Sequence, residues 1–264
     1  MHHFFVDRSQ VREGKIVIEN SDFNHMKNVL RIRQGEKLRV SDGGNTAYTC
    51  ELEEYKDHMA VCTILGKEEA YSELPSKIYL FQGLPKADKM ELIIQKTVEL
   101  GVTAVIPVMT SRSVVKLDKK KEEGKCKRWN GIAESAAKQS GRLVLPRVEQ
   151  VMSFQEAVVR MEALTHRLIP YELCEGMEET RRRIGVIRPG ESIGIMIGPE
   201  GGFEKEEITC ALEHGIEPIT LGGRILRTET AGMSLLSVLM FLLDQKQNNS
   251  ENGCERENID GSIS

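Results

Sequence analysis

Two short apolar runs, each closed by a glycine-bearing loop, constrain this chain more than any other feature. Ile193-Gly194-Ile195-Met196-Ile197 ends in Gly198-Pro199-Glu200-Gly201-Gly202, and a charged, helix-like segment follows. Ile216 to Leu221 ends in Gly222-Gly223-Arg224-Ile225-Leu226-Arg227-Thr228-Glu229-Thr230-Ala231, which opens a nearly all-apolar segment reaching Leu243. Runs this short and apolar read as buried strands, and loops at the carboxyl ends of such strands are where an open α/β sheet holds a ligand. Glycine there brings backbone N–H and C=O groups close to a ligand without side-chain bulk. That suits the edge of an adenine ring, with Leu221, Ile225 and Leu226 as apolar flanks. The bland alternative is that the glycines only make tight turns; two such loops, expected on adjacent strands, weigh against it. Neither loop is a GxGxxG and no GxxxxGK[ST] occurs, so neither a dinucleotide site nor a Walker-type ATP site is indicated.

Upstream, the chain changes character near residue 76. Lys15 to Ile18, Lys37 to Val40, Ala47 to Leu52 and Met59 to Leu65 run or alternate at strand length, with Asp42-Gly43-Gly44-Asn45 as the clearest hairpin signal. One helix, Ser21 to Ile32, interrupts them. This predicts a small barrel-like β domain over residues 1–70, with Gly66 to Pro75 as linker. From Lys77 onward strands alternate with helices, and the α/β domain is expected over residues 76–244. Ile78 to Phe81, Val102 to Val108 and Arg167 to Tyr171 read as strands. Asp88 with Glu91, and Ser153 with Glu156, read as capping boxes, and Trp129, Ile132, Ala133, Ala136 and Ala137 form a helical stripe. Such alternation implies a mostly parallel sheet covered by helices. Residues 245–264 are polar and aperiodic, which predicts a disordered tail.

Composition narrows the function classes. The net charge of −4 gives no global attraction for nucleic acid, so any RNA contact must come from local basic patches. Residues 1–50 supply one, with eight basic against six acidic side chains. Cys50, Cys62, Cys126, Cys174, Cys210 and Cys254 form no CxxC pair and no zinc spacing, which suits a reducing cytosol. With no clustered His, Cys and Asp, no metal is expected. The amino end has too short an apolar run for a signal peptide, and Ala231 to Leu243 falls well short of the ~20 residues a membrane span needs. That segment is expected to be a helix buried on most sides, in a core or a subunit interface.

Taken together, the two loops resemble the RsmE family of SPOUT-class RNA methyltransferases. Lys96 to Val102, Arg112-Ser113 and Glu134 to Arg142 look like further segments of that family, as do Phe4-Phe5-Val6 and His25 to Arg31 at the amino end. The resemblance implies a knotted (trefoil) SPOUT domain with a mostly parallel sheet, preceded by a PUA-like RNA-binding β-barrel. It implies S-adenosylmethionine held at Ile197, Gly198, Pro199, Gly201, Leu221, Gly222, Ile225 and Leu226, and a homodimer through the knotted domain. The implied reaction is methylation of N3 of one uridine in the 16S rRNA of the small ribosomal subunit, in the cytoplasm. Alternatives are a ribose 2′-O methyltransferase of the same fold, or a non-catalytic RNA-binding or ribosome-assembly protein.

Uracil N3 must lose a proton before it can attack a methyl carbon, so a base or a charge-stabilising cation is expected beside the cofactor. Arg227 and Glu229, flanking Thr228, are the catalytic candidates. Arg227 would hold a phosphate or the developing uracil charge, and Glu229 would accept a proton or orient Arg227. The alternative for Glu229 is simply the preference of carboxylates for a helix's first turn. Glu200 reads as an acceptor that fixes its own loop. For RNA, the candidates are Arg8, His25, Arg31, Arg112 and Arg142, with Arg33 beside them. Arg112 and Arg142 either line the crevice or make buried structural pairs. Lys119 to Lys121 and Arg181 to Arg183 read as solvent-facing runs.

Overall fold

A computed structural model of the chain describes residues 1–44, 46–69, 72–114, 119–171 and 176–248. Six strands make the amino-terminal sheet: β1 (His2–Phe5), β2 (Val11–Arg12), β3 (Lys15–Ile18), β4 (Lys37–Ser41), β5 (Thr46–Lys56) and β6 (Met59–Glu69). Their order is β1-β4-β5-β6-β3-β2, with β1 parallel to β4 and the other neighbours antiparallel. Period-two alternation sends Ile16, Ile18, Leu38, Val40, Cys50 and Leu52 to one core with Phe4, Phe23 and Met26. In the expected hairpin, Gly44 N–H donates to Asp42 Oδ1 at 2.8 Å; Asn45 lies outside the described residues.

Two local expectations change here. The linker expected from Gly66 begins later, because Gly66–Glu69 still pairs with Thr46–Thr49 of β5. Glu68 is satisfied across the sheet: it accepts from Thr49 Oγ1 at 2.6 Å and pairs with Arg39 at 2.9 Å. The helix expected over Ser21–Ile32 is also not uniform. Helix α1 (Asn20–Asn24) passes into a wider turn over His25–Leu30, and Arg31 ends it in the left-handed region at φ 54. Phe23 and Met26 are buried while His25, Lys27 and Arg31 stay exposed.

The second sheet contains β7 (Lys77–Gly83), β8 (Ala104–Met109), β9 (Arg147–Val148), β10 (Met152–Ser153), β11 (His166–Pro170), β12 (Ser192–Ile197) and β13 (Glu217–Ile219). The order is β10-β8-β7-β12-β11-β13, with β9 also on β8, and every one of these pairings is parallel. Helices α2 (Lys89–Glu99), α3 (Lys119–Ser140), α5 (Met177–Gly185) and α7 (Thr228–Asn248) cover one face, where Ile78, Leu80, Ile193 and Ile195 point. Helices α4 (Phe154–Met161) and α6 (Lys205–Glu213) cover the other, against Phe81, Ile106 and Met196. Burial on both faces is why these strands read as continuous apolar runs.

The strand order corrects one expectation that matters for the site. The strands that carry the two glycine loops are not adjacent, because β11 lies between β12 and β13 and pairs with both. The Ser153–Glu156 capping box forms: Ser153 Oγ accepts from Glu156 N–H, and Ser153 N–H donates to Glu156 Oε2 at 2.7 Å. The Asp88 box does not form, since Glu91 turns instead to Arg128 at 2.8 Å. Helix α5 was not anticipated: only Thr180 and Ile184 are buried on it, too thin a stripe for a periodic signal. Within the Arg181–Arg183 run, Arg183 is half-buried and donates to the Pro218 carbonyl rather than facing solvent. On α7, Leu235, Leu236, Leu239 and Leu243 are buried, whereas Val238 and Phe241 remain 46% and 59% exposed. The helix continues to Asn248; the rest of the expected tail lies outside the described residues.

Arg142 is a correction. Expected as an RNA contact, it is 4% exposed, and its guanidinium pairs with Glu73 at 2.6 Å and donates to the Val98 and Val102 carbonyls. It ties the segment before β7 to the end of α2 and the start of the loop after α3. Nearby, Arg39 donates to the Gly141 carbonyl at 3.3 Å and Lys138 pairs with Asp22 at 3.1 Å, so the first sheet rests on the end of α3. Arg142→Met leaves Glu73 with only the Leu143 and Val144 N–H groups. The expected loss of stability is roughly 3 kcal/mol, measured by urea denaturation with RNA absent.

Candidate functional site

The first glycine loop begins where β12 ends at Ile197. Gly202 N–H donates back to the Pro199 carbonyl at 2.9 Å, and Gly202 takes φ +69, which closes a turn that only glycine enters freely. A Cβ on Gly198 would stand 3.2 Å from the Gly202 backbone. The loop then enters α6, where Glu204 N–H donates to Glu207 Oε2 at 2.9 Å and buried Glu207 also accepts from Ser111 N–H at 2.8 Å. The second loop leaves β13 through Thr220. Gly222 takes φ +106, and Thr180 on α5 hydrogen-bonds both the N–H and the carbonyl of Thr220.

These loops converge, together with the end of β11, on one pocket of about 720 Å³, a size that suits a small organic ligand. All eight residues expected to hold a cofactor line it: Ile197, Gly198, Pro199, Gly201, Leu221, Gly222, Ile225 and Leu226. Pro170 and Tyr171 join them because β11 separates the two loop-bearing strands. Leu221 and Leu226 are half-buried walls, while Ile225 stands at the rim, 84% exposed. Glycine backbone between apolar walls leaves room for a flat heteroaromatic ring, and Lys89, Arg112, Arg224 and Arg227 stand around it. Among the described residues no group of three or more His, Cys, Asp and Glu could hold a metal, and no helix is long and apolar enough to cross a membrane.

The catalytic candidates separate. Arg227 lines the pocket, exposed, while Glu229 does not line it. Glu229 Oε2 instead lies 3.4 Å from Lys89 Nζ, and that oxygen makes no hydrogen bond. Glu200 behaves as the sequence suggests: both carboxylate oxygens accept from Lys86 N–H, at 3.1 and 3.3 Å, and one pairs with Lys89 at 3.0 Å. Burial alone would raise its pKa; backbone N–H groups and the Lys89 ammonium outweigh that and hold it below the usual carboxylate range. Lys89 is held above the ordinary lysine value, chiefly by its hydrogen bond to Glu200.

Of the RNA candidates, Arg112 is at the pocket, paired with Glu204 at 2.8 Å and donating to the Gly201 carbonyl at 2.6 Å. Arg8, His25 and Arg31 are exposed on the amino-terminal sheet's domain, and Arg8 also donates to the Gly44 carbonyl at 3.1 Å. Arg142 joins neither group.

Three residues that shape the pocket carry little signal in the sequence. Gln82, fully buried at the end of β7, donates through Nε2 to Thr228 Oγ1 at 2.9 Å, and the Thr228 hydroxyl donates to the Gly198 carbonyl at 2.6 Å. A polar residue closing the apolar run Ile78 to Phe81 was the available signal for Gln82. Thr228 sits in the second loop's motif between two more conspicuous charges, Arg227 and Glu229. Lys89 gave no signal, because its partners are far away in sequence.

Comparison with known proteins gives one consistent answer. Residues 72–240 match the family described as RNA methyltransferase domain, and residues 18–65 match the one described as RNA methyltransferase PUA domain. The chain is 36% identical over 247 residues to the ribosomal RNA small subunit methyltransferase E of Bacillus subtilis, covering 91% of this chain and 96% of that protein. Among solved structures, the ribosomal RNA small subunit methyltransferase E of Neisseria gonorrhoeae bound to S-adenosyl methionine is 33% identical with a TM-score of 0.79, covering 92% of this chain and 98% of that one. A putative methyltransferase of Legionella pneumophila in complex with SAM is also 33% identical, with a TM-score of 0.80 and coverage of 91% and 97%.

Thr228→Val removes the hydroxyl that joins β7, the first loop and α7, leaving the Gly198 carbonyl and the Gln82 amide each short of a partner. The expected cost is about 1–3 kcal/mol, with Thr228→Ser close to the parent, as read by denaturant midpoint at constant m.

Proposed function

The chain belongs to the ribosomal RNA small subunit methyltransferase E family, an RNA methyltransferase domain joined to a PUA domain, and from that premise we propose that it methylates N3 of one uridine in 16S rRNA. The methyl donor is S-adenosylmethionine, and its relatives with this cofactor bound cover more than nine-tenths of this chain. The observation that carries the reading is the convergence of both glycine loops and Arg227 on one pocket.

Within that pocket, the backbone groups of the two loops that are not already bonded within the protein would hold the cofactor, with Ile197, Leu221 and Leu226 as apolar walls. When bound, S-adenosylmethionine supplies an electrophilic methyl group on a sulfonium. The chain's part is to exclude water, aim the base and favour its deprotonated form. Arg227, exposed in the pocket, stabilises the negative charge that spreads over the uracil ring as N3 loses its proton. Glu229 faces Lys89 rather than the pocket, which suits holding the start of α7 better than taking the proton. Arg8, His25 and Arg31 grip the RNA through the amino-terminal domain, and Arg112 stands at the mouth of the pocket.

The same reading includes a trefoil knot in the second domain and a homodimer formed through it, acting in the cytoplasm. The exposed Val238 and Phe241 on α7 are apolar surface that a second protomer would cover.

Arg227→Ala should lower methyl transfer by about 100- to 1000-fold while cofactor affinity changes little; equal loss of both counts against the charge-stabilising role. Arg31→Ala should weaken RNA binding and make its salt dependence shallower by about one counterion. Nucleoside mass spectrometry on 16S rRNA from a deletion strain tests the whole reading. One N3-methyluridine should vanish and return on complementation. Loss of a 2′-O-methyl nucleoside would select the ribose enzyme instead, and an unchanged profile would leave only RNA binding.

A further inference from the structure

The end of β7, the connection after it and the first residue of α2 belong to neither glycine loop, yet between them they meet the two loops and the start of α7 at four points. Gln82 holds Thr228, and Thr228 holds Gly198. Gly83 lies so close under Pro199 that a Cβ would meet the proline ring at 2.6 Å. Lys86 N–H donates to Glu200. Lys89, the last of the four, lines the pocket and sets one ammonium between Glu200 of the first loop and Glu229 just beyond the second.

The charges at this rim are unevenly shared. Glu200 has the Lys86 N–H as a second donor, whereas Glu229 has Lys89 as its sole ion-pair partner among the described residues. Arg227, two residues before Glu229 in the chain, makes no ion pair or hydrogen bond through its side chain with the described residues. An unpaired guanidinium close in sequence to a carboxylate with a single partner is an arrangement that depends on that partner staying in place. At these separations an ammonium and a carboxylate attract strongly only where water is partly excluded, as it is for Glu229, whose side chain is 16% exposed.

We propose that Lys89 is a positioning residue for methyl transfer: it fixes the spacing of the two glycine loops through Glu200 and Glu229, and it withholds the Glu229 carboxylate from Arg227. The loops stay at the separation the cofactor needs, and the Arg227 charge stays uncompensated, with its donors open to the nucleobase. This rests on the reading of the pocket as the methyl-transfer site. It adds a role to a residue that touches neither reacting group.

Four forms of the full chain test it: the parent, Lys89→Arg, Lys89→Met and Lys89→Met/Glu229→Gln. Single-turnover methylation of small subunits isolated from the deletion strain reads the chemistry, and S-adenosylhomocysteine calorimetry reads the pocket. Lys89→Met should slow methyl transfer about 100-fold, as a small misplacement at a reacting site does. Lys89→Arg should retain most of the rate, and the double variant should recover at least tenfold over Lys89→Met, because the released carboxylate is gone. A purely structural role predicts no recovery. A Lys89→Met enzyme as fast as the parent, or a double variant no faster than Lys89→Met, overturns the proposal while leaving the enzyme's assignment intact. Hydrogen exchange on the free protein decides the spacing separately. Lys89→Met, but not Lys89→Arg, should raise exchange in both Gly198–Gly202 and Gly222–Leu226. Unchanged exchange overturns the spacing claim even if the parent methylates nothing, an outcome that would by itself sink the assigned reaction.

Discussion

Buried between β7, β12 and α7, the Thr228 hydroxyl accepts one hydrogen bond from Gln82 and gives its own to the Gly198 carbonyl. Each bond contributes only about 1 kcal/mol net, but leaving such buried groups unpaired costs more than making them gains. The geometry therefore has little freedom. It fixes where α7 starts relative to the end of β12, and so where the second glycine loop lies relative to the first. Loops held together by bonds within the protein do not have to be ordered by a ligand, which keeps the ordering cost of binding low.

Around this neutral contact the protein arranges charge locally rather than globally. The chain is acidic overall, yet Lys89, Arg112, Arg224 and Arg227 all stand on the pocket wall. Arg112 is tied to Glu204 and Lys89 to two carboxylates, so these cations brace the loops as well as setting the local potential. The amino-terminal domain carries its own exposed cations, Arg8 and Arg31, on a sheet anchored to α3 through Arg39 and Lys138. Under the proposed reading the two sets of cations divide the work, one meeting the RNA backbone and the other standing where a base would meet the methyl donor.

The individual elements show where local signals were enough. Strands β7, β8 and β12 are buried on both faces, and their unbroken apolar runs announce it. The Ser153–Glu156 box is a contact between residues three apart, so sequence alone specifies it. Asp88 and Glu91 have the same spacing, but Arg128 on α3 competes for Glu91 and the box is lost. Helix α5 leaves little local signal because only Thr180 and Ile184 are buried on it, and the contact that docks it, Thr180 to Thr220, joins residues far apart in the chain. Arg142 looks like any surface arginine in a polar stretch, and only the arrival of Glu73 makes it a buried strut.

By itself, then, the amino-acid order determined the two-part organisation, the parallel α/β character of the second part and the pair of glycine loops that line the pocket. These follow from periodicity, from turn chemistry and from residues a few positions apart, which the chain carries wherever it goes. The tertiary structure alone decided that β11 lies between the two loop-bearing strands, that Gln82 and Lys89 complete the site, and that Glu229 turns to Lys89 instead of into the pocket. Each of these joins residues far apart in the chain, and their meeting is fixed by sheet order and side-chain competition, which no local pattern records.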